Sequence, residues 1–253
     1  MATLTAQQSV NTRDLPELTP ITGDTYDGGT MQGAYIHGPS GITYRFGDND
    51  IDLPGTYDFG GAQVISGPIS SINVKTGGSA AYDITDFNLN IEALWADAQD
   101  GTLDTVPAKI FEGDDTLNGS PFGDILYGFA GDDTIIGGGG RDELNGGADS
   151  DSFVFLALTD STKGKGGRDS ILDFSRGEGD KIDLSAIDAR KGGGDNDFKF
   201  IGKHEFHDKK GELRYKVKGG DALIQGDVNG DGKADFSIHV DGVSKLKAID
   251  FDL

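Results

Sequence analysis

Residues 110–154 read as five consecutive nine-residue units: IFEGDDTLN, GSPFGDILY, GFAGDDTII, GGGGRDELN and GGADSDSFV. The sixth residue of every unit is an aspartate and the eighth is apolar, while the first five positions are rich in glycine. Self-similarity at one fixed period predicts a solenoid in which each unit is a turn followed by a short strand. We therefore expect a parallel β-helix or β-roll in the middle of a mostly β protein.

The period also predicts which units stack. Strand side chains alternate between faces, so the eighth residues should point into the roll. Two units make one flattened coil, so each unit should lie against the unit two places further on, about 4.8 Å away. The stacked aspartate pairs are then Asp115 with Asp133, Asp124 with Asp142, and Asp133 with Asp151.

Such stacked turns offer the ligands that Ca²⁺ prefers. Calcium binds oxygen atoms at roughly 2.3–2.6 Å, so an ion midway between two turns reaches both. Glycine permits the positive φ that aims backbone carbonyls at an ion, and aspartate supplies the charge. Without metal, carboxylates about 5 Å apart repel by roughly 3 kcal/mol at an effective dielectric near 20. Folding of the array should therefore be coupled to calcium.

Five units predict about three calcium ions or more. Phe122 and Asp149 occupy the fourth position, where glycine is usual, and the first unit opens with Ile110 and Phe111. The predicted calcium-binding residues are Asp115, Asp124, Asp133, Asp142, Asp151, Gly113, Asp114, Gly131, Asp132, Gly138, Gly140, Gly147 and Asp149.

The units resemble the G-G-x-G-x-D-x-U-x array of the RTX (hemolysin-type) proteins, a secreted calcium-binding family. Further on, DSILDF, GDKIDLS, LIQGDVNGDGKADFSIHV and the terminal AIDFDL resemble the C-terminal domain of the serralysin-type metallopeptidases. The two resemblances together cover roughly residues 108–253. They imply a β-roll that continues into a β-sandwich-like C-terminal module.

The resemblance also implies a route of export. In serralysin-type proteins an acidic residue followed by apolar ones at the extreme C-terminus is an uncleaved signal for type I secretion. Asp250-Phe251-Asp252-Leu253 is similar, although Asp252 departs from a purely apolar ending. It implies that the type I secretion apparatus is a partner and that the protein is extracellular; the alternative is an ordinary edge strand.

A second metal candidate begins at Asp227. The sequence DVNGDGKAD matches the opening of an EF-hand loop, but the twelfth position is Ile238 instead of glutamate, and strand-like sequence replaces the flanking helices. The loop is thus either a calcium site or an acidic hairpin turn. Its candidate ligands are Asp227, Asn229, Asp231 and Asp235.

Composition excludes several classes of function. The formal net charge is −21, and residues 111–160 hold eleven acidic residues against the single base Arg141, so nucleic acid is not an expected partner. The chain has no cysteine, which excludes disulfides and thiolate metal sites. No stretch approaches the roughly 20 apolar residues of a membrane span, and no N-terminal signal peptide is evident.

The chain divides into four predicted parts. Residues 1–30 are expected to form a flexible arm, and residues 31–106 a small α+β domain with a short helix near residues 91–98. Its strands are predicted near Ile42–Phe46, Gln63–Ile65, Ile69–Val74 and Ala81–Ile84. Residues 107–155 form the predicted roll, and residues 156–253 the C-terminal module.

No catalytic constellation is apparent. The four histidines do not form the HExxH zinc motif, and there is no GxSxG elbow or P-loop. We therefore expect a non-enzymatic, secreted, calcium-binding protein whose N-terminal domain contacts a cell-surface polysaccharide or protein. Two alternatives stay open. One is a secreted enzyme or enzyme fragment, serralysin-like or polysaccharide-active, whose catalytic part is unrecognised or missing. The other is a hemophore-like ligand binder, for which His37 is a lone candidate ligand and Ser66 stands near the strand where an axial tyrosine would be expected.

Overall fold

The structure, a computed structural model, describes residues 2–6, 35–36, 42–46, 49–53, 68–76, 79–90, 106–190 and 196–253. The strands before the repeats are β1 (Thr3–Ala6), β2 (Tyr35–Ile36), β3 (Ile42–Phe46), β4 (Asn49–Leu53), β5 (Pro68–Thr76) and β6 (Ser79–Asn90). A short helix, α1 (Val106–Ile110), leads into the repeat strands β7 (Thr116–Asn118), β8 (Ile125–Ala130), β9 (Thr134–Ile136), β10 (Glu143–Ala148) and β11 (Ser152–Val154). The remaining strands are β12 (Ser170–Ile171), β13 (Lys181–Asp183), β14 (Lys199–Phe200), β15 (Glu212–Lys218), β16 (Asp221–Asp227), β17 (Phe236–Val240) and β18 (Phe251–Asp252), with a 3-10 helix at Ala248–Asp250.

Successive repeats alternate between two sheets, as the nine-residue period predicts. Strands β7, β9 and β11 pair in parallel in one sheet, while β8 and β10 pair in parallel in the other. Leu117 lies opposite Ile135, and Leu126 lies opposite Leu144. The eighth residues of all five units are fully buried between the sheets: Leu117, Leu126, Ile135, Leu144 and Phe153. The predicted mostly β fold with a parallel β-roll is confirmed.

The roll continues past the repeats without a break at residue 155. Strands β13 and β18 extend the first sheet in parallel, and β12 and β17 extend the second. Beyond β17 the second sheet becomes antiparallel through β16 and β15, with β14 at its edge. One continuous hydrophobic core therefore runs from the repeats into the C-terminal module.

The other end of the roll is covered by the start of the chain. Strand β1 pairs in parallel with β7 and antiparallel with β6, and Leu4 lies fully buried opposite Leu117 and Ile84. The expectation of a flexible arm over residues 1–30 is thus wrong for residues 2–6. The physical reason is the open edge of the first repeat strand. Its backbone N–H and C=O groups need hydrogen-bond partners, and the apolar side chains at this end of the core must be covered. Residues 7–30 lie outside the described residues.

Shortening Leu4 tests this arrangement. Leu4→Ala removes a fully buried side chain from the end of the core, so we expect the free energy of unfolding to fall by about 2–5 kcal/mol. Chemical denaturation of the calcium-loaded protein measures the loss. The matched control is Thr5→Ala on the opposite, exposed face of the same strand, which should change stability by less than about 0.5 kcal/mol. Equal effects of the two variants would contradict the assignment of β1.

Strands before the roll continue the first sheet. Strand β6 pairs with β5, and β4, β3 and β2 follow in antiparallel order. The predicted strand at 42–46 is β3, and the predictions at 69–74 and 81–84 lie within β5 and β6. The predicted strand at 63–65 and the helix near 91–98 lie outside the described residues, as do His37 and Ser66.

Candidate calcium-binding site

The sixth-position aspartates form two ladders along the turns of the roll. In the last three of them, Asp133, Asp142 and Asp151, Oδ1 accepts a hydrogen bond from the backbone N–H of the aspartate in the preceding coil. The distances from nitrogen to Oδ1 are 2.8 Å for Asp115 to Asp133, 2.8 Å for Asp124 to Asp142 and 3.0 Å for Asp133 to Asp151. The sequence period therefore predicts the correct partners, and every one of these five aspartates is buried.

The second oxygen of several ladder aspartates has no such donor. Among the described residues, Oδ2 of Asp133, Asp142, Asp151 and Asp169 is buried and accepts no hydrogen bond. A buried carboxylate oxygen without a partner costs several kcal/mol of desolvation unless a cation or proton compensates it. Two such oxygens in each ladder fit bound hard cations.

The glycine that opens each of the last four units leaves space for the second carboxylate oxygen of that unit's aspartate. A Cβ built on Gly128 would come within 3.0 Å of both Asp133 Oδ2 and the Gly146 carbonyl oxygen. A Cβ on Gly119 would meet Asp124 Oδ2 and the Gly137 carbonyl oxygen in the same way, and Asp124 Oδ2 also accepts the Ser120 N–H at 2.6 Å. In each case a carboxylate oxygen and a carbonyl oxygen converge on one small volume that only glycine leaves open. This donor set is the kind that calcium takes.

Gly128→Ala tests whether that space is needed. The added methyl group must displace the Asp133 carboxylate or the Gly146 carbonyl, so we expect the calcium affinity of the roll to fall at least tenfold. Calcium-dependent circular dichroism measures it. Gly164→Ala is the control, because a Cβ at Gly164 has no atom within 4 Å. An unchanged calcium midpoint in Gly128→Ala would contradict the role assigned to the first-position glycines.

Burial shifts the ionisation of the ladder. Desolvation, reinforced by the neighbouring aspartates, raises the pKa of Asp133, Asp142 and Asp169 to about 8 and that of Asp151 to about 7. Desolvation also raises the pKa of Asp115, Asp173 and Asp180. Without a cation, Asp133, Asp142 and Asp169 hold protons near neutral pH.

The other predicted turn residues shape the turns or lie on the outside of the ladders. Gly113, Gly131 and Gly140 have φ of 107°, 120° and 126°, and Asp149 adopts the same left-handed region with φ of 78°. Gly138 and Gly147, at the second position, have φ of 81° and 106°. Asp114 and Asp132 are exposed: the Asp132 N–H donates to Asp114 Oδ1, and the Ser150 N–H to Asp132 Oδ1, outside the buried ladders.

The structure adds ladder residues that the repeat period missed. The N–H of Asp142 donates to Asp169 Oδ1 at 3.0 Å, and the N–H of Asp151 donates to Asp180 Oδ1 at 3.1 Å. Asp173 accepts the N–H groups of Gly146 and Gly147. The D-x-apolar triplets Asp169-Ser170-Ile171 and Asp180-Lys181-Ile182 were the available signal.

The EF-hand-like sequence forms the hairpin loop between β16 and β17. Both oxygens of Asp227 accept backbone N–H groups, from Gly230 at 2.6 Å and Gly232 at 2.8 Å. Asp235 Oδ2 accepts the N–H groups of Val228 and Asn229, its Oδ1 accepts the Asn229 amide, and Asp231 Oδ1 accepts the Lys233 N–H. These bonds hold the loop as an acidic hairpin turn. Calcium binding by this loop stays a prediction.

A parallel roll with glycine turns and internal aspartate ladders defines a calcium-binding protein of the RTX type. A model of the Peptidase M10 serralysin C-terminal family matches residues 125–252, half of the chain. The chain belongs to this family, as the resemblance of the sequence motifs predicted.

Two solved structures are similar over part of the chain. They are solution structures of the AlgE6R3 and AlgE6R2 subunits of the mannuronan C5-epimerase of Azotobacter vinelandii. Their sequence identities are 27% and 26% and their TM-scores 0.35 and 0.38; each comparison covers 55% of this chain and 78% of the other. No curated protein matches the chain. Within the described residues, no helix is long and apolar enough to cross a membrane.

Proposed function

We propose that this is a secreted, non-enzymatic RTX protein whose roll folds when it binds extracellular calcium. The observation that carries the proposal is the presence, in both ladders, of buried, unpartnered carboxylate oxygens, on Asp133, Asp142, Asp151 and Asp169. A metal-free fold must neutralise these groups with protons or bear their repulsion. Calcium supplies the compensating charge, so its binding free energy contributes directly to folding.

Export by the type I route is the second part of the proposal. It is supported by the similarity of the last four residues to the type I signal and by their position in the fold. Strand β18 pairs with β13, and Asp250 and Phe251 are buried. Both Nε and Nη2 of Arg176 donate to the Asp250 carboxylate. A secretion apparatus would therefore read this segment before the roll folds, in the low calcium of the cell interior.

The N-terminal domain would then contact a cell-surface polysaccharide or protein. The composition and the lack of a catalytic motif support a binding role over an enzymatic one. Assays with casein, lipid esters and alginate, together with a haem titration followed at the Soret band, would reveal either of the alternative functions. Activity in any of the first three would replace the binding role by an enzymatic one.

Calcium titration of metal-stripped protein tests the folding claim. We expect a cooperative rise in β-sheet circular dichroism at submillimolar to millimolar calcium, the range of extracellular calcium modules. Magnesium should be far less effective, because it requires a smaller, octahedral site and keeps its water. A chain that is fully folded in chelator at pH 8 and indifferent to calcium would refute the proposal.

The export claim needs a separate experiment. The full chain and a variant lacking Asp250–Leu253 are expressed with a type I exporter, and secreted protein is quantified. We expect the full chain alone to reach the medium. Equal secretion of both would remove the export claim and leave the calcium-dependent fold intact.

A further inference from the structure

A second group of metal-ligand side chains lies on the antiparallel pair β16 and β17. Ala222 pairs with Val240, so Asp221 lies opposite Asp241 at the end of the two strands. His239 comes two residues before Asp241, on the same face of the sheet. One donor atom from each of these three residues lies within 4.8 Å of the other two, which makes them the one His–carboxylate cluster of this kind in the described part of the chain.

The imidazole lies between the two carboxylates. His239 Nε2 is 3.6 Å from Asp221 Oδ2, and His239 Nδ1 is 3.2 Å from Asp241 Oδ1. The other oxygen of Asp221 accepts the Gly242 N–H at 3.0 Å, which holds that carboxylate in place. Zinc binds histidine nitrogen and carboxylate oxygen at about 2.0–2.2 Å, so two ligands of a tetrahedral ion are about 3.4 Å apart. The Nε2 to Oδ2 separation is close to that value.

The remaining carboxylate has the position of a supporting group. A metal-bound histidine commonly directs its second ring nitrogen at a carboxylate, which fixes the tautomer and orients the ring. Asp241 is placed on the Nδ1 side for this role. All three side chains are about one-third to one-half exposed, so an ion in solution can reach them.

We propose that His239 Nε2 and Asp221 Oδ2 bind a first-row divalent transition metal ion such as Zn²⁺, with Asp241 orienting the imidazole and water completing the coordination. An imidazole ligand favours zinc over calcium, whereas the ladders of the roll offer oxygen alone. The site is therefore chemically distinct from the calcium sites of the roll. An ion there joins the start of β16 to the end of β17, at the opposite end of this strand pair from the acidic hairpin loop.

The experiment is a zinc titration of the full chain with calcium in millimolar excess, so that the oxygen sites are filled. Imidazole ¹⁵N NMR follows the four histidines, and calorimetry gives the affinity. We expect a saturable shift of the His239 resonances. His239→Ala and Asp221→Asn should abolish saturable binding, while Asp241→Asn should weaken it about tenfold, the usual cost of losing a supporting carboxylate.

His207→Ala is the matched control. His207 Nδ1 lies 2.9 Å from the carboxylate of Glu212. Within the described residues, the imidazole of His207 has no second acidic side chain at ion-pair distance. Its removal should leave the zinc affinity unchanged. Equal zinc affinity in wild type and His239→Ala, or the same shift in every histidine, would overturn the proposal. Circular dichroism in the same buffer checks that each variant folds. If His239→Ala does not fold, Asp221→Asn provides the test, because it should lose the saturable shift of the His239 resonances.

Discussion

Asp133→Ala is expected to abolish the cooperative calcium-dependent transition or to move its midpoint to at least tenfold higher calcium. Asp133 is the central residue of its ladder: Oδ1 accepts the Asp115 N–H, its own N–H donates to Asp151, and its Oδ2 lies beside the Gly146 carbonyl. The substitution removes an oxygen ligand and leaves a buried backbone donor without a partner, which alone costs about 1–3 kcal/mol. Two stacked turns are affected at once.

The matched control removes an acid of the same formal charge from the surface. Asp197 is exposed, and Asp197→Asn should leave the calcium midpoint within about twofold of wild type because, within the described residues, its side chain makes no hydrogen bond to either ladder. Circular dichroism at increasing calcium compares the three proteins. Equal shifts for Asp133→Ala and Asp197→Asn would mean that the net charge, and not the ladder, governs the calcium response.

The second large effect is on pH dependence. Burial raises the pKa of Asp133, Asp142 and Asp169 to about 8, whereas an aspartate in an unfolded chain has a pKa near 4. Between these values the folded, metal-free roll binds protons that the unfolded chain has released. Stability from these protons is fully present below about pH 4 and is lost as the pH rises through about 8. Metal-free protein should therefore melt at a higher temperature at pH 5 than at pH 8.5.

Calcium affinity should move in the opposite direction. The ion must displace the protons of the ladder, so affinity rises with pH up to about 8, by about tenfold per pH unit for each proton released. Thermal melts in chelator and calcium titrations at pH 6 and pH 8 measure the two trends. Asp133→Asn cannot titrate at this position, so its metal-free melting temperature should depend less steeply on pH. A metal-free protein that is most stable at pH 8.5 would contradict the assignment of buried, protonated aspartates.

The repeat period alone predicted the course of the roll. A nine-residue unit fixes a turn and a strand locally, and the alternation of strand side chains fixes Leu117 and Ile135 as core residues. Units of equal length then stack in one register, so the pairing of Asp115 with Asp133 follows from the 18 residues that make up two units. These features depend on neighbours in sequence, which is why the sequence determines them.

Other features arise only when distant segments meet. Asp169 follows Asp142 in the ladder after 27 residues instead of 18, because the segment after β11 interrupts the period before the stack resumes. Strand β1 meets β7 across more than a hundred residues, and no local pattern marks it as the cover of the roll. The space above Gly128 likewise exists only where the Asp133 carboxylate folds back over the turn.

The sequence by itself therefore determined the class of fold, the aspartate register and the calcium-binding chemistry of this protein, because every unit of a periodic chain forms the same turn and strand. The tertiary structure alone decided which oxygens stay without a partner, where the ladders end, and how Asp221, His239 and Asp241 meet across two strands. Those outcomes depend on packing between residues far apart in the chain, and their distances are set only when both sheets are assembled.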